Sequence, residues 1–221
     1  MQKFLIPKGL KIFEASMEFV FPNGNEKGFI DIALKLCIKK ICFLYDSHEY
    51  IIKKKQGKQA VGADLSRDGL GVEIGLLVKS NDIGVASTHC KFLAAKSSDN
   101  DRALIEGKKI RLIYGFEESA RRDYMHQRAS GLNHVLCELC SRNNVAVGIS
   151  YGMLLNADSE SCCVLMGRIM QNIRLCQKYK VKIVVGSFSG NPFDLRSPHD
   201  LRSLLANLGM QQRQARECFA N

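Results

Sequence analysis

The stretch that most constrains the fold is Val181 to Ser189, VKIVVGSFS, which lies between helix-forming segments in the run from Gly167 to Met210. Its centre is apolar and β-branched with no polar alternation, the pattern of a parallel strand covered by helices on both faces. A chain that brackets such a strand with helices belongs to the α/β class. Downstream, Ser197 precedes Pro198 at the first helical position and Asp200 follows three residues on. This variant of the capping box opens a helix over LRSLLANLG that ends at Gly209. Arg196 therefore sits in a strand-to-helix loop beside a helix N-terminus. In parallel sheets and barrels that edge binds ligands, because backbone donors and the positive helix end converge there.

The same rhythm runs upstream. GFIDIALKLCIKKICFLYD from Gly28 reads as an amphipathic helix feeding a strand over Lys40 to Tyr45. Strands are expected at Val72 to Ser80, at the short IGVASTH (Ile83 to His89) and at Lys108 to Gly115. A helix from Met125 to Asn143 carries Leu132, Val135, Leu136, Leu139 and Cys140 as one apolar stripe, and VAVGISYGMLL supplies the next strand. A short strand at Leu10 to Glu14, a turn at Pro22 to Gly24 and a polar loop at Ser97 to Arg102 complete the expectation. The alternation continues across that polar loop, so one α/β domain over residues 1–221 is expected, with a parallel sheet either closed or open.

Charge narrows the partner. The formal net charge is +10 and the pI near 9.2, values that suit a polyanion. Of 13 arginines only Arg67 precedes residue 100, so the planar donors suited to bidentate phosphate contacts gather in the second half. No run of 18 apolar residues and no secretion signal is seen, which predicts a soluble, cytoplasmic protein. The nine cysteines are then expected as reduced core residues.

Catalytic motifs are sparse. Cys137 and Cys140 form C-x-x-C inside the expected helix, and Cys162 with Cys163 lacks the loop geometry of a second zinc-ligand pair, so all are read as packing residues. His126 and His134 are eight apart with no H-x-x-x-H. Gly62 to Gly71 lacks both the G-x-G-x-x-G spacing and the phosphate-loop lysine and is read as a turn. Lys53 to Lys55 is read as a solvated helix end. ARRDYMHQR is more telling: Arg121, Arg122 and Arg128, with Tyr124 and His126 between them, suit RNA phosphates and exposed bases. Placed at a helix N-terminus, as expected here, each arginine opposes the helix dipole by about 0.3–1 kcal/mol unless anions are present. Arg168 and Arg174, six apart on the following helix, do not share a stripe, and one of them is read as structural.

The strings RRDYMHQRASGLNHVLCELCSRNNVAVGISYGMLL, MGRIMQNIRLCQKYKVKIVVGSFSG and FDLRSPHDLRSLLANLGM resemble, in order and spacing, the RNase P protein component 3 family, the archaeal counterpart of the thirty-kilodalton subunit of eukaryotic RNase P. The resemblance covers about residues 105–210, while residues 1–100 are less alike. Family members begin with an aromatic-Asp pair, for which Phe13-Glu14 is the nearest equivalent. The resemblance implies a TIM-barrel-like α/β fold related to the polymerase and histidinol phosphatase superfamily, without that superfamily's metal-binding H-x-H. It implies a subunit of the ribonucleoprotein that removes the 5′ leader of precursor tRNA, in which the RNA is the catalyst and holds the required magnesium. It also implies pairing with RNase P component 2, and it nominates Arg111, Arg121, Arg122, Arg128, Asn133, His134, Arg168, Asn172, Arg196 and Ser197 for contact with RNA or partner. No residue is assigned a bond-breaking role and no cofactor is expected on the chain.

Two rivals stand beside this. One is a free-standing barrel phosphoesterase with metal held among His89, His126, His134, His199 and acidic residues, which requires converging ligands. The other is a generic basic RNA-binding domain, which accounts for the charge but not for the ordered motifs.

Overall fold

A computed structural model of the chain describes residues 17–55 and 69–218. In order these form β1 (Met17–Val20), α1 (Glu26–Lys35), β2 (Lys40–Asp46), α2 (Ser47–Lys55), β3 (Gly71–Leu77), α3 (Ile83–His89), β4 (Leu93–Lys96) and α4 (Asp101–Glu106). There follow β5 (Leu112–Tyr114), a 3-10 turn at Phe116–Glu118, α5 (His134–Asn143), β6 (Ala146–Ser150), α6 (Gly152–Asn156), α7 (Ser159–Lys178) and β7 (Ile183–Gly186). A second 3-10 turn at Pro192–Asp194, α8 (Pro198–Asn207) and α9 (Gln212–Glu217) end the described chain.

The seven strands lie side by side in sequence order, every neighbouring pair parallel. The two edges then meet. Val20 bridges Ser189, Phe188 N–H donates to Phe19 O at 2.9 Å, and Phe21 N–H donates to Ser189 O at 2.9 Å. The sheet is thus a nearly closed barrel, TIM-barrel-like, with the seam between β1 and the residues just past β7. Closure satisfies the edge donors and acceptors that an open parallel sheet leaves exposed.

Aromatic rings fill the barrel. Phe19, Phe92, Tyr114 and Phe188 project inward with Met17, Cys42, Leu44 and Leu112. Phe188 stacks on Tyr114 with ring centroids 4.5 Å apart and on Phe19 at 5.7 Å, and Phe92 lies against the other side of Phe19 at 5.7 Å. Glycines make room for them. A Cβ on Gly148 would lie 2.8 Å from Tyr114 Cβ, and one on Gly75 would lie 2.7 Å from a Phe92 ring carbon. Large and small residues alternate across the lumen as close packing requires.

Outside the barrel, helices bury Ile105, Ile113, Phe116, Cys137 and Cys140 on one side, Ile149, Ile169, Ile173 and Leu205 on another, and Phe29, Ile30 and Phe43 on a third. Cys137, Cys140 and Cys176 are buried as small packing residues.

Several sequence expectations need correction. The segment Ile83–His89 is helix α3, not a strand. Its Ala86 packs inward, and the strand of this unit is the Ala-rich LAAK of β4, whose weak β propensity conceals it. Asp101, expected within a polar loop, opens α4, with its carboxylate accepting from Ser97 Oγ at 2.7 Å and Ser98 N at 2.6 Å. The strands expected at Lys108–Gly115 and Val181–Ser189 are shorter, as β5 and β7. The helix expected from Met125 begins only at His134. Gly131 has φ of +81°, and Asn133 in an extended conformation caps the helix by accepting from Leu136 N at 3.0 Å. His126 and His134 therefore do not share a helix, and Val135 of the expected apolar stripe is exposed. The strand expected at Leu10 to Glu14, the Phe13-Glu14 pair and most of the Gly62 to Gly71 turn lie outside the described residues. The Lys53–Lys55 run ends α2.

Candidate nucleic-acid interface

Because all strands are parallel, everything that follows a strand lies at the C-terminal end of the barrel. The loop after β5, residues 119–133, and the loop after β7, residues 187–197, share that end. They bring Arg121, Arg122, Arg128, Asn133, Arg196 and Ser197 to one side, with His134 at the start of α5. Arg111 is not brought there. It directly precedes β5, and its N–H donates to Leu93 O at the opening of β4, so it marks the opposite end of the barrel.

The long loop is held by a single buried arginine. Arg168, on α7 and 6% exposed, donates through Nε to Asp123 Oδ1 at 2.9 Å and through Nη1 to the carbonyls of Glu117 at 2.9 Å and Ser119 at 2.6 Å. Its Nη2 donates to Arg121 O. The planar fork reaches four acceptors spread over seven residues of loop, which an ammonium cannot do from one position. Asp123 returns the anchorage, accepting from Ala129 N at 2.8 Å and Arg128 Nη1 at 3.1 Å. Burial alone raises the Asp123 pKa, but the Ala129 N–H and the two guanidiniums outweigh it and hold this carboxyl below its usual value.

The two motifs behind the resemblance are bonded to each other. Gln171 Oε1 accepts from Arg128 N at 3.0 Å while its Nε2 donates to Arg128 O at 2.8 Å, and Ser130 Oγ donates to Asn172 Oδ1 at 2.6 Å. R-x-S-G-L-N-H on the loop is thereby fastened to R-x-x-Q-N on α7. Two of the nominated residues lie within this bonding. Arg168 and Asn172 are buried and spent on architecture, so of the pair Arg168 and Arg174 it is Arg168 that is structural. Ser197 is likewise engaged as the N-cap of α8, accepting from Asp200 N at 3.2 Å. Arg196 is half-buried. It turns Nη1 toward the carbonyls of Phe193 at 2.9 Å and Leu195 at 2.8 Å, while its N–H donates to the Tyr151 hydroxyl at 3.2 Å.

What remains free is the outer face of the loop. Arg121, Arg122 and Arg128 are exposed, but not at a helix N-terminus as the sequence suggested. Arg121 has only a long pairing of 3.9 Å with Asp99, and Arg122 has no ion pair among the described residues. Tyr124 and Met125 stand out at 76% and 93% exposed. Sequence reading also passed over Asp123 and Gln171 as anchors, although an acidic residue inside an arginine run was a signal that one charge of the run is paired internally.

Among the described residues no three of His, Cys, Asp and Glu are grouped as metal ligands. The two fully buried carboxyls, Glu18 and Glu117, hold backbone instead: Glu18 Oε1 accepts from Ser187 N at the barrel seam and Glu117 Oε1 accepts from Ser150 N at 3.0 Å. Burial pushes each up to about 7. Among the described residues no helix is long and apolar enough to cross a membrane.

Residues 122–221 match the family model described as RNase P subunit p30. Relatives include the Ribonuclease P protein component 3 of Methanosarcina acetivorans, 34% identical over 93 residues that make up 42% of this chain and 39% of that protein. The component 3 of Thermococcus kodakarensis is 34% identical over 86 residues, 39% of each chain. The matched segments thus span well under half the length of these relatives. In three dimensions a chain of archaeal Ribonuclease P with mature tRNA superposes with a TM-score of 0.70 over 91% of this chain and 86% of that one, at 18% identity. A Xaa-Pro dipeptidase with bound methionine shares the barrel at a TM-score of 0.53 and 10% identity, over 92% and 72% of the two chains. This chain is similar in sequence, over residues 122–221, to the RNase P subunit p30 family, and in fold, over 91% of its length, to a chain of archaeal ribonuclease P.

Proposed function

We propose that this protein is an RNA-binding subunit of ribonuclease P, supporting the catalytic RNA in removing the 5′ leader of precursor tRNA. The observation that carries the reading is the rigid loop of residues 119–133. Its inner face is bonded to α7 by Arg168, Gln171 and Asn172, and its outer face presents Arg121, Arg122 and Arg128 to solvent. Preorganised cations of this kind attract a polyanion without an ordering cost at the moment of binding. The family match begins at residue 122, inside this loop, which supports assigning the surface to the function of the family.

In this reading the chain binds and braces, and bond cleavage belongs to the RNA and its magnesium. By preferring the active conformation of the RNA the subunit shifts the folding equilibrium of that RNA, and added cations lower the magnesium needed to fold it. RNase P component 2 is the protein partner, sharing the exposed surface with the RNA. The phosphoesterase rival has less support, because it requires converging ligands and among the described residues no three of His, Cys, Asp and Glu are grouped.

The test is precursor-tRNA cleavage by the cognate RNase P RNA across a magnesium titration, with and without this chain and component 2. Faster cleavage or a lower magnesium requirement with both proteins is the expected outcome. Metal-dependent phosphodiester hydrolysis by the isolated chain, with no effect on the RNA, would overturn the proposal.

A further inference from the structure

The tip of the β5–α5 loop is shaped for more than charge. Tyr124 N–H donates to Gln127 O at 2.9 Å and Gln127 N–H returns to Tyr124 O at 3.3 Å, closing a tight hairpin with Met125 and His126 at its end. The base of this hairpin is pinned to α7, as Arg128 is held on both its N–H and its carbonyl by Gln171. The exposure of Tyr124 is therefore built in and is not the slack of a floating loop. Its ring stacks on no other aromatic ring among the described residues.

Between the hairpin and α7 runs a groove of about 580 Å³, with Tyr124 to Arg128 on one wall and Gly167, Met170 and Arg174 on the other. Gly167 is what allows the groove its cationic floor. The Arg128 guanidinium lies against the helix there, with Nε and Cζ only 3.1 and 3.2 Å from where a Cβ would be. Arg174, about two turns further along α7, is exposed and forms no ion pair among the described residues. The acidic group of the groove, Asp123, is already committed to Arg168, Arg128 and the Ala129 N–H. One carboxylate is thus shared by two guanidiniums while Arg174 has none, so the groove keeps a net positive charge, and an exposed flat ring beside it is complementary to a base that carries its own phosphate.

Resting on the RNA-binding reading above, we propose that this groove is a site for an unpaired nucleotide of RNA: the base stacks on Tyr124, with the Met125 and Met170 side chains at its edges, and its phosphate lies between Arg128 and Arg174. Single strands suit the site and duplex does not. A base inside a helix has no free face to give to Tyr124, whereas a splayed base stacks on any aromatic ring with little regard to sequence. The net positive charge of the groove, on a chain of formal charge +10, favours a polyanion over a protein surface as its occupant.

The experiment measures binding of the full chain to a fluorescein-labelled single-stranded RNA decamer and to a blunt duplex of the same length, over a salt series, for wild type and for Tyr124→Ala, Tyr124→Phe and Arg174→Ala. Circular dichroism melts check that each variant is folded, which the exposure of both side chains leads us to expect. Tyr124→Ala should weaken single-strand binding about ten-fold, within the range of one lost stack, and Tyr124→Phe should stay within about two-fold of wild type. Arg174→Ala should weaken single-strand binding and reduce the salt slope by about one phosphate contact. If Tyr124→Ala binds the single strand as wild type does while Arg174→Ala weakens single strand and duplex alike, the nucleotide site is wrong and the general RNA-binding reading stands. If wild type binds neither RNA, both fall. If Tyr124→Ala instead loses only component 2, the groove is a protein interface and the proposal is overturned.

Discussion

The guanidinium of Arg168 and the carboxylate of Asp123, 45 residues apart, meet at 2.9 Å where α7 passes under the β5–α5 loop. Around that contact the loop backbone folds inward, giving three of its carbonyls to the same guanidinium. Replacing Arg168 by Ala leaves those carbonyls and a largely buried carboxylate without their donor. Breaking a buried pair from one side costs about 3–5 kcal/mol. The expected outcome for Arg168→Ala is a fall of that order in unfolding free energy, read by urea denaturation, together with new proteolytic cleavage within residues 119–133. Arg168→Lys keeps the charge but not the fork, and should recover only part of the loss.

Stability of the barrel depends equally on what is missing from Gly148. A methyl group there would lie 2.8 Å from Tyr114 Cβ, 3.0 Å from Phe188 Cζ and 3.2 Å from Leu112 Cδ1. Neither ring has room to retreat, because Phe188 is stacked on Tyr114 on one face and neighbours Phe19 as well. Overpacking of this kind costs about 1–3 kcal/mol. Gly148→Ala should lower the urea midpoint by a corresponding amount with an unchanged m-value, and near-ultraviolet circular dichroism should report the disturbed tyrosine.

These two positions show what the sequence could and could not reveal. The α/β class, the helix–strand order around β2, β6 and β7, and the Ser197–Pro198 helix start are written in local patterns, which is why periodicity and capping residues find them. The loop is different. Met125 to Asn133 contains helix-compatible residues, and what keeps it from being helical is tertiary: Gln171, 43 residues away, claims both the N–H and the carbonyl of Arg128, and Asp123, itself held by Arg168, claims the Ala129 N–H. The same contacts explain why Arg168 and Asn172, which stand in matching motifs, were nominated for RNA contact yet are buried. A motif records that a residue is needed, and a guanidinium needed to hold a loop looks the same in sequence as one needed to hold a phosphate. Likewise α3 and β4 are poorly legible in sequence, because α3 buries only Ala86 and so carries almost no helical periodicity, and the Ala-rich β4 is a strand through packing rather than propensity.

Glu117 predicts a pH dependence. Its Oε1 accepts from Ser150 N while its Oε2 has no hydrogen-bond partner among the described residues, and burial pushes its pKa from 4.5 up to about 7. A carboxyl raised in the folded state favours folding while protonated. Its contribution is fully present below about pH 4.5 and is lost as pH rises through about 7. At about 1.4 kcal/mol per pH unit the change amounts to about 3–4 kcal/mol at most. Glu117→Gln keeps the acceptor for Ser150 and cannot ionise. It should match wild type near pH 4.5 and exceed it in unfolding free energy by a margin that grows to pH 8, measured by denaturant titration at fixed ionic strength. A constant difference between the two proteins across that range would show that the carboxyl does not titrate there.

Gly167 separates stability from binding. It lies inside the 20-residue α7, where alanine is the better helix former by up to about 1 kcal/mol. The cost of adding a Cβ falls on the Arg128 guanidinium, 3.1–3.3 Å away, which as the end of a flexible side chain can shift by a few tenths of an ångström. That shift moves the cation relative to Asp123, which it now meets at 3.1 Å, and relative to the groove. Gly167→Ala should therefore melt no lower than wild type, and somewhat higher if the helix gain prevails, while binding single-stranded RNA more weakly. A double-mutant cycle with Arg128→Ala assigns the cause, since residues acting through one contact are not additive. If displacement of Arg128 is the mechanism, Gly167→Ala has little further effect on RNA affinity once Arg128 is gone. If the loss is as large in that background as in the wild type, the glycine acts on RNA binding by another route.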